Sequence, residues 1–269
     1  MIHRQCPPQI SLAGCHLVAP DHNPVPRTNN LPFDPFEYAQ QFRERGFGVF
    51  RRLLDEAEID RLRRAIEAVP DCDAVRRKRN VYGVRNLLDL SPDVCRLARL
   101  PEIRALVTPI LGEEAFAARA IFFDKVPGAN WALGWHQDRV IAVAAKGEAR
   151  GFLAWGQKAG VWQVQPPPEI MAAMVAVRVH LDDCHADNGP LRVLPGSHRH
   201  GWLDNEIDRW KREVESVTCL TDAGGAVTIC PLILHASSKA ASPSNRRVIH
   251  IEFASQELPG GLGWHRRIK

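Results

Sequence analysis

MAAMVAVRVHLDDCHADNGPLRVL, residues 171–194, is the segment that indicates the fold class most directly. Residues 171–181 form an apolar run rich in valine, and residues 190–194 form a second, shorter run. Between them lies CHADNGP, whose Asp, Asn, Gly and Pro residues are typical turn formers. Short apolar runs bounded by turn residues are typical of β-strands, so the segment predicts two strands joined by a turn.

Most of the C-terminal half of the chain shows the same pattern of short apolar runs separated by turn residues. Further apolar runs predict strands at 117–126, 225–234 and 247–254. The N-terminal part differs, because its apolar residues recur at helical spacing. It predicts a short strand at 47–50 and helices at 34–45, 55–68 and 101–111, the first capped by Asp34 and begun by Pro35. Helices followed by many strands predict a mainly β fold with flanking helices, its strands forming a sandwich or barrel.

We expect a single domain over 1–269. Its predicted parts are an irregular N-terminal arm (1–33), a helical flank (34–112), a β core (113–254) and a C-terminal tail (255–269). Residues 139–169 lie between two predicted strands and hold Trp155, Trp162 and three consecutive prolines. A loop of that length in a compact domain is usually functional, so we expect a lid, with a mobile insertion as the alternative.

Composition excludes several classes of protein. No apolar run approaches the roughly 18 residues that span a membrane, and the N-terminus carries no apolar signal segment. The seven cysteines are scattered and form no C-x-x-C pair, so we expect neither disulfides nor structural zinc, and a cytoplasmic location. Net charge is +4, and the basic run 76–79 has no interleaved aromatic residue. We therefore expect a small-molecule substrate, preferably anionic, and no nucleic-acid or membrane partner.

One His-x-Asp pair stands out as a metal motif. His136 and Asp138 lie in WHQD (135–138), and on a strand their side chains share one face. A second histidine from a distant strand would complete a facial triad, which leaves three positions open on a non-haem Fe(II) ion. The motif also occurs at 180/182 and 185/187, but both copies run into the turn CHADNGP.

His235 is our candidate for the third ligand, because it ends the apolar run ICPLILH (229–235). A structural core histidine is the alternative for this residue alone. Arg246 follows eleven residues later, and an arginine provides a bidentate fork for the far carboxylate of 2-oxoglutarate. The combination is more specific than its parts, and it predicts an enzyme using Fe(II), 2-oxoglutarate and O2.

The chain resembles the phytanoyl-CoA dioxygenase family of Fe(II)- and 2-oxoglutarate-dependent oxygenases over roughly 35–254. The matching segments are FFDKVPG (122–128), WHQD (135–138), LDDCHADNGPLRVLPGSHRHG (181–201) and PLILHASSKAASPSNRRVIHIEFA (231–254). The resemblance implies a double-stranded β-helix, the cupin-like jelly roll, for the core. It also implies hydroxylation of an aliphatic C–H bond with release of succinate and CO2. An aspartate at 138 implies hydroxylation rather than halogenation, since related halogenases carry a small residue there.

The same resemblance implies roles for individual residues. His136, Asp138 and His235 would be the iron ligands, and Arg246 would bind 2-oxoglutarate. Three further positions match polar residues near the co-substrate or between the first two ligands: Ser237, Lys125 and Gln137.

Arg178 departs from the family, because the phytanoyl-CoA enzymes carry a tryptophan on the strand before LDD. Strand alternation puts Arg178 and His180 on one face, where burial is costly unless the groups are paired. We therefore expect both to line the pocket and to meet 2-oxoglutarate or a polar substrate group; a solvent-facing strand is the alternative. The departure argues against phytanoyl-CoA as substrate, as does the lack of a peroxisomal signal at the C-terminus.

Other residues are weaker candidates. We expect substrate contacts from Trp155, Trp162 and His250, and Glu252 alternates in phase with His250. Trp131 and Trp135 flank the metal motif and could wall the site or pack in the core. His198 and His200 follow a PGS turn and are expected to be structural.

Two alternative functions remain open at this point. A cupin-like metalloenzyme could use the same triad without 2-oxoglutarate, but Arg246 and Ser237 would then be unexplained. A non-catalytic ligand-binding jelly roll would have no need of open positions on the metal.

Overall fold

The structure, a computed structural model, describes residues 33–241 and 243–269. The predicted arm over 1–33 therefore lies outside the described residues, apart from Phe33. The α-helices of the described part are α1 Pro35–Arg45, α2 Glu56–Glu67, α3 Leu87–Leu90, α4 Pro92–Leu97, α5 Pro101–Leu111, α6 Pro168–Ala172 and α7 Ile207–Glu213. Its strands are β1 Phe47–Phe50, β2 Val75–Arg77, β3 Val81–Val84, β4 Phe116–Phe123, β5 Leu133–His136, β6 Ile141–Val143, β7 Leu153–Lys158, β8 Val161–Gln165, β9 Val175–His180, β10 Leu191–Val193, β11 Val217–Cys219, β12 Ala226–Ile229, β13 His235–Ser237 and β14 Val248–Ala254.

The three predicted helices are confirmed to within one residue at each end. Asp34 caps α1 by accepting hydrogen bonds from the backbone N–H groups of Phe36 and Glu37, and Pro35 occupies the first turn. Gly46 ends the helix with a φ of 81°, a left-handed conformation that glycine adopts without strain. The chain then enters β1, where it was predicted.

The strands form three antiparallel sheets within the described residues. A seven-stranded sheet has the order β1-β12-β9-β14-β4-β3-β2, and a four-stranded sheet has the order β11-β10-β13-β5. From β9 onward the chain alternates between them, since β10, β11 and β13 lie in the smaller sheet and β12 and β14 in the larger. This winding confirms the predicted jelly roll.

The two faces of β9 have different neighbours. Val175, Val177 and Val179 belong to the main apolar cluster, which also holds Ile103 and Leu106 of α5. All six residues of β9 are buried, so the solvent-facing alternative for Arg178 and His180 is wrong. A second cluster joins the inner faces of the two sheets on the β12 side, and it comprises Phe47, Ala176, Leu191, Val193, Cys219, Val227, Ile229 and Ile233. The β4–β14 side is left open for a cavity.

The segment 139–169 is not the long loop that we expected. It forms β6, β7 and β8, a separate three-stranded sheet that continues into α6. Ile141, Val143 and Val164 of this sheet are fully buried in the main cluster. Short paired strands therefore replace the loop, and a role of the segment as a lid stays a prediction.

None of the helices within 33–241 and 243–269 combines the length and the apolar character needed to traverse a bilayer.

Candidate metal centre and cavity

His136, Asp138 and His235 converge at the edge of the four-stranded sheet. His136 ends β5 and lies opposite His235, the first residue of β13, in the antiparallel pairing of the two strands. Asp138 Oδ1 lies 4.0 Å from His136 Nε2 and 3.8 Å from His235 Nε2. The potential ligand atoms all lie within 4.8 Å of one another, and no other such group occurs in the described part of the chain. The three side chains are close enough to hold one ion.

The backbone fixes which ring nitrogen of each histidine faces the centre. His136 Nδ1 lies 2.8 Å from the Gly134 carbonyl oxygen, and His235 Nδ1 lies 2.8 Å from that of Ile233. Because a carbonyl only accepts, each Nδ1 donates its hydrogen, and Nε2 is the ring nitrogen left to bind a metal. Burial lowers the pKa of His235 to about 4, so its imidazole is neutral at physiological pH.

The carboxylate is also in its metal-binding form. Burial would raise the pKa of Asp138, but the basic groups around the carboxylate, which include the charged Arg178, outweigh that effect, and the pKa is lowered. Two imidazoles and one carboxylate are the donor set of a non-haem Fe(II) facial triad. By its chemistry, the site therefore fits the metal that the sequence predicts.

A cavity of about 420 Å³ opens in front of these three groups. Five of the residues singled out in the sequence line it: Ser237, Arg246, Arg178, His250 and Glu252. Trp131 also lines the cavity, whereas Trp135 packs beneath the guanidinium of Arg192, 5.4 Å from the ring centroid. The fold thus gathers polar groups from β9, β13 and β14 around a space of small-molecule size.

One end of the cavity carries buried positive charge. Arg246 donates from Nη1 to the Gly189 carbonyl at 2.8 Å, and its buried Nε has no partner among the described residues. Behind Ser237 lies Lys125, whose Nζ donates to Ser237 Oγ at 3.2 Å and also to the Ser238 carbonyl. Burial, with Arg246 nearby, lowers the pKa of Lys125 to about 8. An anionic group here would satisfy the free donor and stabilise both cations.

A row of four polar residues crosses the floor of the cavity from β9 to β4. Arg178 Nη1 lies 3.1 Å from His250 Nδ1, and His250 Nε2 lies 3.5 Å from Glu252 Oε1. The same carboxylate oxygen accepts a 3.1 Å hydrogen bond from Arg119 Nη1. Burial, followed by repulsion from Arg246, lowers the pKa of Arg178 to about 10, so the arginine stays charged at neutral pH.

Gln137 does not face the cavity. Its amide nitrogen donates to the carbonyls of Gly201 and Leu232, each at 2.7 Å, and its oxygen accepts from the Leu203 N–H at 2.8 Å. The expected contact with the co-substrate does not fit this geometry, because these backbone groups use both ends of the amide. Gln137 instead ties the two neighbouring ligands to the loops behind them.

Other predicted substrate residues lie away from the cavity lining. His180 is 1% exposed, and neither ring nitrogen has a partner in the described part; burial lowers its pKa well below the usual range. Trp155 and Trp162 contact each other edge to face and pack against the main apolar cluster. Their predicted substrate contacts are not supported by these positions.

The sequence analysis missed three arginines that line the cavity, Arg85, Arg119 and Arg139. Arg119 is the one charged residue of β4, FAARAIFF, and a lone charge inside an apolar strand is a signal that could have revealed it. The other two follow a strand and a metal ligand, and no local pattern marks them. Nε2 of His198 lies 3.1 Å from the carbonyl oxygen of Arg43, a contact that fits the structural role expected of this histidine.

Comparison with known proteins identifies a family to which this chain is similar. The sequence profile of the phytanoyl-CoA dioxygenase family matches residues 42–248. L-proline trans-4-hydroxylase of Streptomyces griseoviridis is 25% identical, over 74% of this chain and 79% of the relative. Ectoine dioxygenase of Nocardia farcinica is 26% identical, over 82% of this chain and 78% of the relative.

A solved structure has the same fold. EctD from S. alaskensis, in a crystal structure with 2-oxoglutarate and 5-hydroxyectoine, superposes with a TM-score of 0.64 at 17% identity. The superposition covers 95% of this chain and 83% of that one. At this identity the likeness concerns the fold, and it agrees with the alternation of strands between two sheets described above.

Proposed function

The chain belongs to the phytanoyl-CoA dioxygenase family, and we propose that it is an Fe(II)- and 2-oxoglutarate-dependent dioxygenase that hydroxylates an aliphatic C–H bond of a small molecule. One observation carries the proposal. His136, Asp138 and His235 present two imidazole nitrogens and a carboxylate to one point, on the wall of a cavity that also holds Arg246. Its curated relatives include hydroxylases and dioxygenases that act on small molecules.

In this proposal, His136, Asp138 and His235 hold the iron and leave its other positions to 2-oxoglutarate and O2. When bound, iron would let O2 oxidise 2-oxoglutarate and the substrate together, one oxygen atom going to succinate, formed with release of CO2, and the other converting C–H to C–OH. The protein orients both. The carbonyls of Gly134 and Ile233 keep the imidazole Nε2 atoms available as ligands.

Arg246 binds the far carboxylate of 2-oxoglutarate, with Ser237 and Lys125 beside it. Support comes from the Nε of Arg246, which has no partner within 33–241 and 243–269, and from the cations gathered at this end of the cavity. A bidentate guanidinium also sets the direction in which 2-oxoglutarate points toward the triad. Arg178, at the cavity floor, adds a further charged donor on the same side.

The two alternative functions are less well supported. A metalloenzyme that does not use 2-oxoglutarate leaves the buried cations at Arg246 without a purpose. A ligand-binding protein has no need of a metal site with open positions. We further propose a cytoplasmic location, which the free thiols of Cys95, Cys184, Cys219 and Cys230 favour.

An anaerobic titration tests the proposal. Fe(II) and 2-oxoglutarate are added to the wild type, and the weak visible charge-transfer band of their chelate is followed. We expect a band in the wild type that needs far more 2-oxoglutarate in Arg246→Ala. His136→Ala should lose iron binding, whereas His185→Ala, in the exposed His-x-Asp pair, should keep it. Iron binding without a band would remove the 2-oxoglutarate assignment and favour the cupin-like alternative.

A further inference from the structure

The charged residues that line the cavity include more arginines than acids, so the lining carries excess positive charge. They are the two acids Asp138 and Glu252 and the arginines Arg85, Arg119, Arg139, Arg178 and Arg246. An Fe(II) ion and a 2-oxoglutarate dianion cancel each other in charge. Asp138 is a proposed metal ligand, and Arg139 pairs with Asp204. Glu252 can balance one further arginine, so positive charge remains when the proposed cofactors are in place.

Part of this excess lies at the mouth of the cavity. Arg85 is exposed, and its guanidinium has no hydrogen-bond or ion-pair partner in the described part of the chain. Although Arg85 is exposed as a residue, partial burial of its guanidinium, and then the neighbouring cations Arg76 and Arg119, lower its pKa. Three arginines thus lie near one another, and no acid among the described residues pairs with Arg85, an arrangement that an added anion would stabilise.

Arg119 connects this mouth to the metal centre. Besides its bond to Glu252, its Nη1 lies 3.4 Å from the carbonyl of Val140, two residues after Asp138. Its Nε is buried and has no partner among the described residues. A free donor on a well-held guanidinium costs free energy unless a ligand satisfies it.

A second cavity of about 460 Å³ adjoins the first, and Arg85, Arg119 and Trp131 line both. It extends along β3 past Arg76 and Tyr82 toward solvent. A molecule that enters by this groove passes the two arginines before it reaches the triad. Arg246, by contrast, lines the first cavity but not the second, and Lys125 is bonded to Ser237 of β13. These two are the groups assigned above to 2-oxoglutarate.

We infer that the substrate carries a carboxylate or phosphate group, and that Arg85 and Arg119 bind this group between the two cavities, with Trp131 against its apolar part. The inference rests on the proposed function and gives it a substrate class. It also explains how the substrate is oriented, because an anion fixed at Arg119 lies beside the segment between β5 and β6 that carries Asp138. Carbons near the anionic group would then be the ones presented to the metal.

Equilibrium binding to the Fe(II)- and 2-oxoglutarate-loaded enzyme without O2 tests this directly. The calorimetric probes are matched pairs: L-proline and L-prolinamide, hexanoate and hexanamide, hexyl phosphate and 1-hexanol. We expect at least one anion to bind about tenfold more tightly than its neutral partner, as a charged hydrogen-bond pair provides. A carboxylate preference or a phosphate preference identifies the group. Equal or undetectable binding within every pair would overturn the inference.

Substitutions then locate the site. Arg85→Gln, Arg119→Gln and the double variant Arg119→Gln/Glu252→Gln should each weaken the preferred anion about tenfold. The double variant leaves no stranded carboxylate. Arg64→Gln, which removes an exposed arginine from α2, is the matched control and should bind like the wild type. Wild-type anion affinity in Arg85→Gln and Arg119→Gln would refute the site. The chelate band, read in the same samples, reports separately whether the proposed function holds.

Discussion

Arg178 donates from Nη1 to Nδ1 of His250, its partner in the β9–β14 pairing, over 3.1 Å. A guanidinium has only donors, so His250 Nδ1 accepts and its hydrogen is on Nε2, toward Glu252. Arg178 also stacks over the Phe123 ring at 4.8 Å. These contacts hold a charged side chain in a fixed place on the floor of the cavity, at the position where the family resemblance led us to expect a tryptophan.

Arg178→Met should therefore weaken 2-oxoglutarate binding. The substitution keeps apolar volume but removes a buried cation close to Arg246, and we expect the apparent Kd to rise about tenfold. The chelate band, titrated anaerobically, measures the change. Arg192→Met, which removes an arginine packed over Trp135, is the control and should leave the Kd unchanged. Wild-type affinity and turnover in Arg178→Met would show that the arginine is not used.

The pKa of Lys125 predicts how co-substrate affinity depends on pH. The pKa is lowered from 10.5 to about 8 by burial and by Arg246, and a bound carboxylate would favour the charged form. Affinity for 2-oxoglutarate should therefore be highest below pH 8 and fall as the pH rises through that value. Binding measured from pH 6.5 to 9.5 tests this, and Lys125→Met should flatten the profile. A wild-type profile as flat as that of the variant would contradict the prediction.

The same pKa has a consequence for the protein without co-substrate. Between about pH 8 and 10.5 the unfolded chain holds a proton on Lys125 that the folded chain has released. Stability rises with pH wherever the unfolded state binds more protons, so the cost of burying the charged Lys125 should disappear, and stability should rise, across this window. Urea unfolding at pH 7.5 and 10 measures the free energy of unfolding of the wild type and of Lys125→Met. The difference between the two proteins should change with pH.

Gln137→Leu should destabilise the protein. It leaves two carbonyls and one N–H behind the metal centre without their partner, and the summed cost should be about 3 kcal/mol. Urea unfolding of the iron-free protein measures this, and Gln157→Leu, on the exposed strand β7, is the control. If stability were unchanged and only 2-oxoglutarate affinity fell, the co-substrate role first expected of Gln137 would be restored.

Ile141→Ala tests whether the 139–169 sheet is part of the core. Ile141 is 0% exposed, so its truncation should lower the free energy of unfolding by about 2–5 kcal/mol. Leu153→Ala, at a position 61% exposed in the same sheet, should cost little. A small loss in Ile141→Ala would mean that this sheet separates easily from the domain, as a mobile lid would.

The elements that could be predicted are those with a local signal. β9, which is rich in valine, and β14 are buried along their length, and α2 has one apolar stripe. β5 and β13 have no such signal, since β5 is partly exposed and β13 has only three residues. These two strands are held in place by pairing with each other. Because they are far apart in the chain, no local pattern indicates that pairing. They nevertheless carry two of the three proposed ligands.

The candidate site was predicted by its chemistry more than by its pattern. The types and spacing of His136, Asp138, His235 and Arg246, with the family resemblance, identified a group that the fold brings to one cavity. The orientation of Gln137 was available from the same rule, because two ligands on one face of a strand place the residue between them on the other. The cavity mouth at Arg85 depends on tertiary packing and was out of reach.

The pairing of β5 with β13 has a mechanical consequence. An ion held by both His136 and His235 would join segments roughly 100 residues apart in the chain, and so would act as a removable cross-link across the smaller sheet. Because the unfolded chain has no such site, occupancy would favour the folded state. Removal of iron would then lower the stability of the fold as well as stop turnover. The melting temperature of a sample would therefore report the fraction of the enzyme that holds iron.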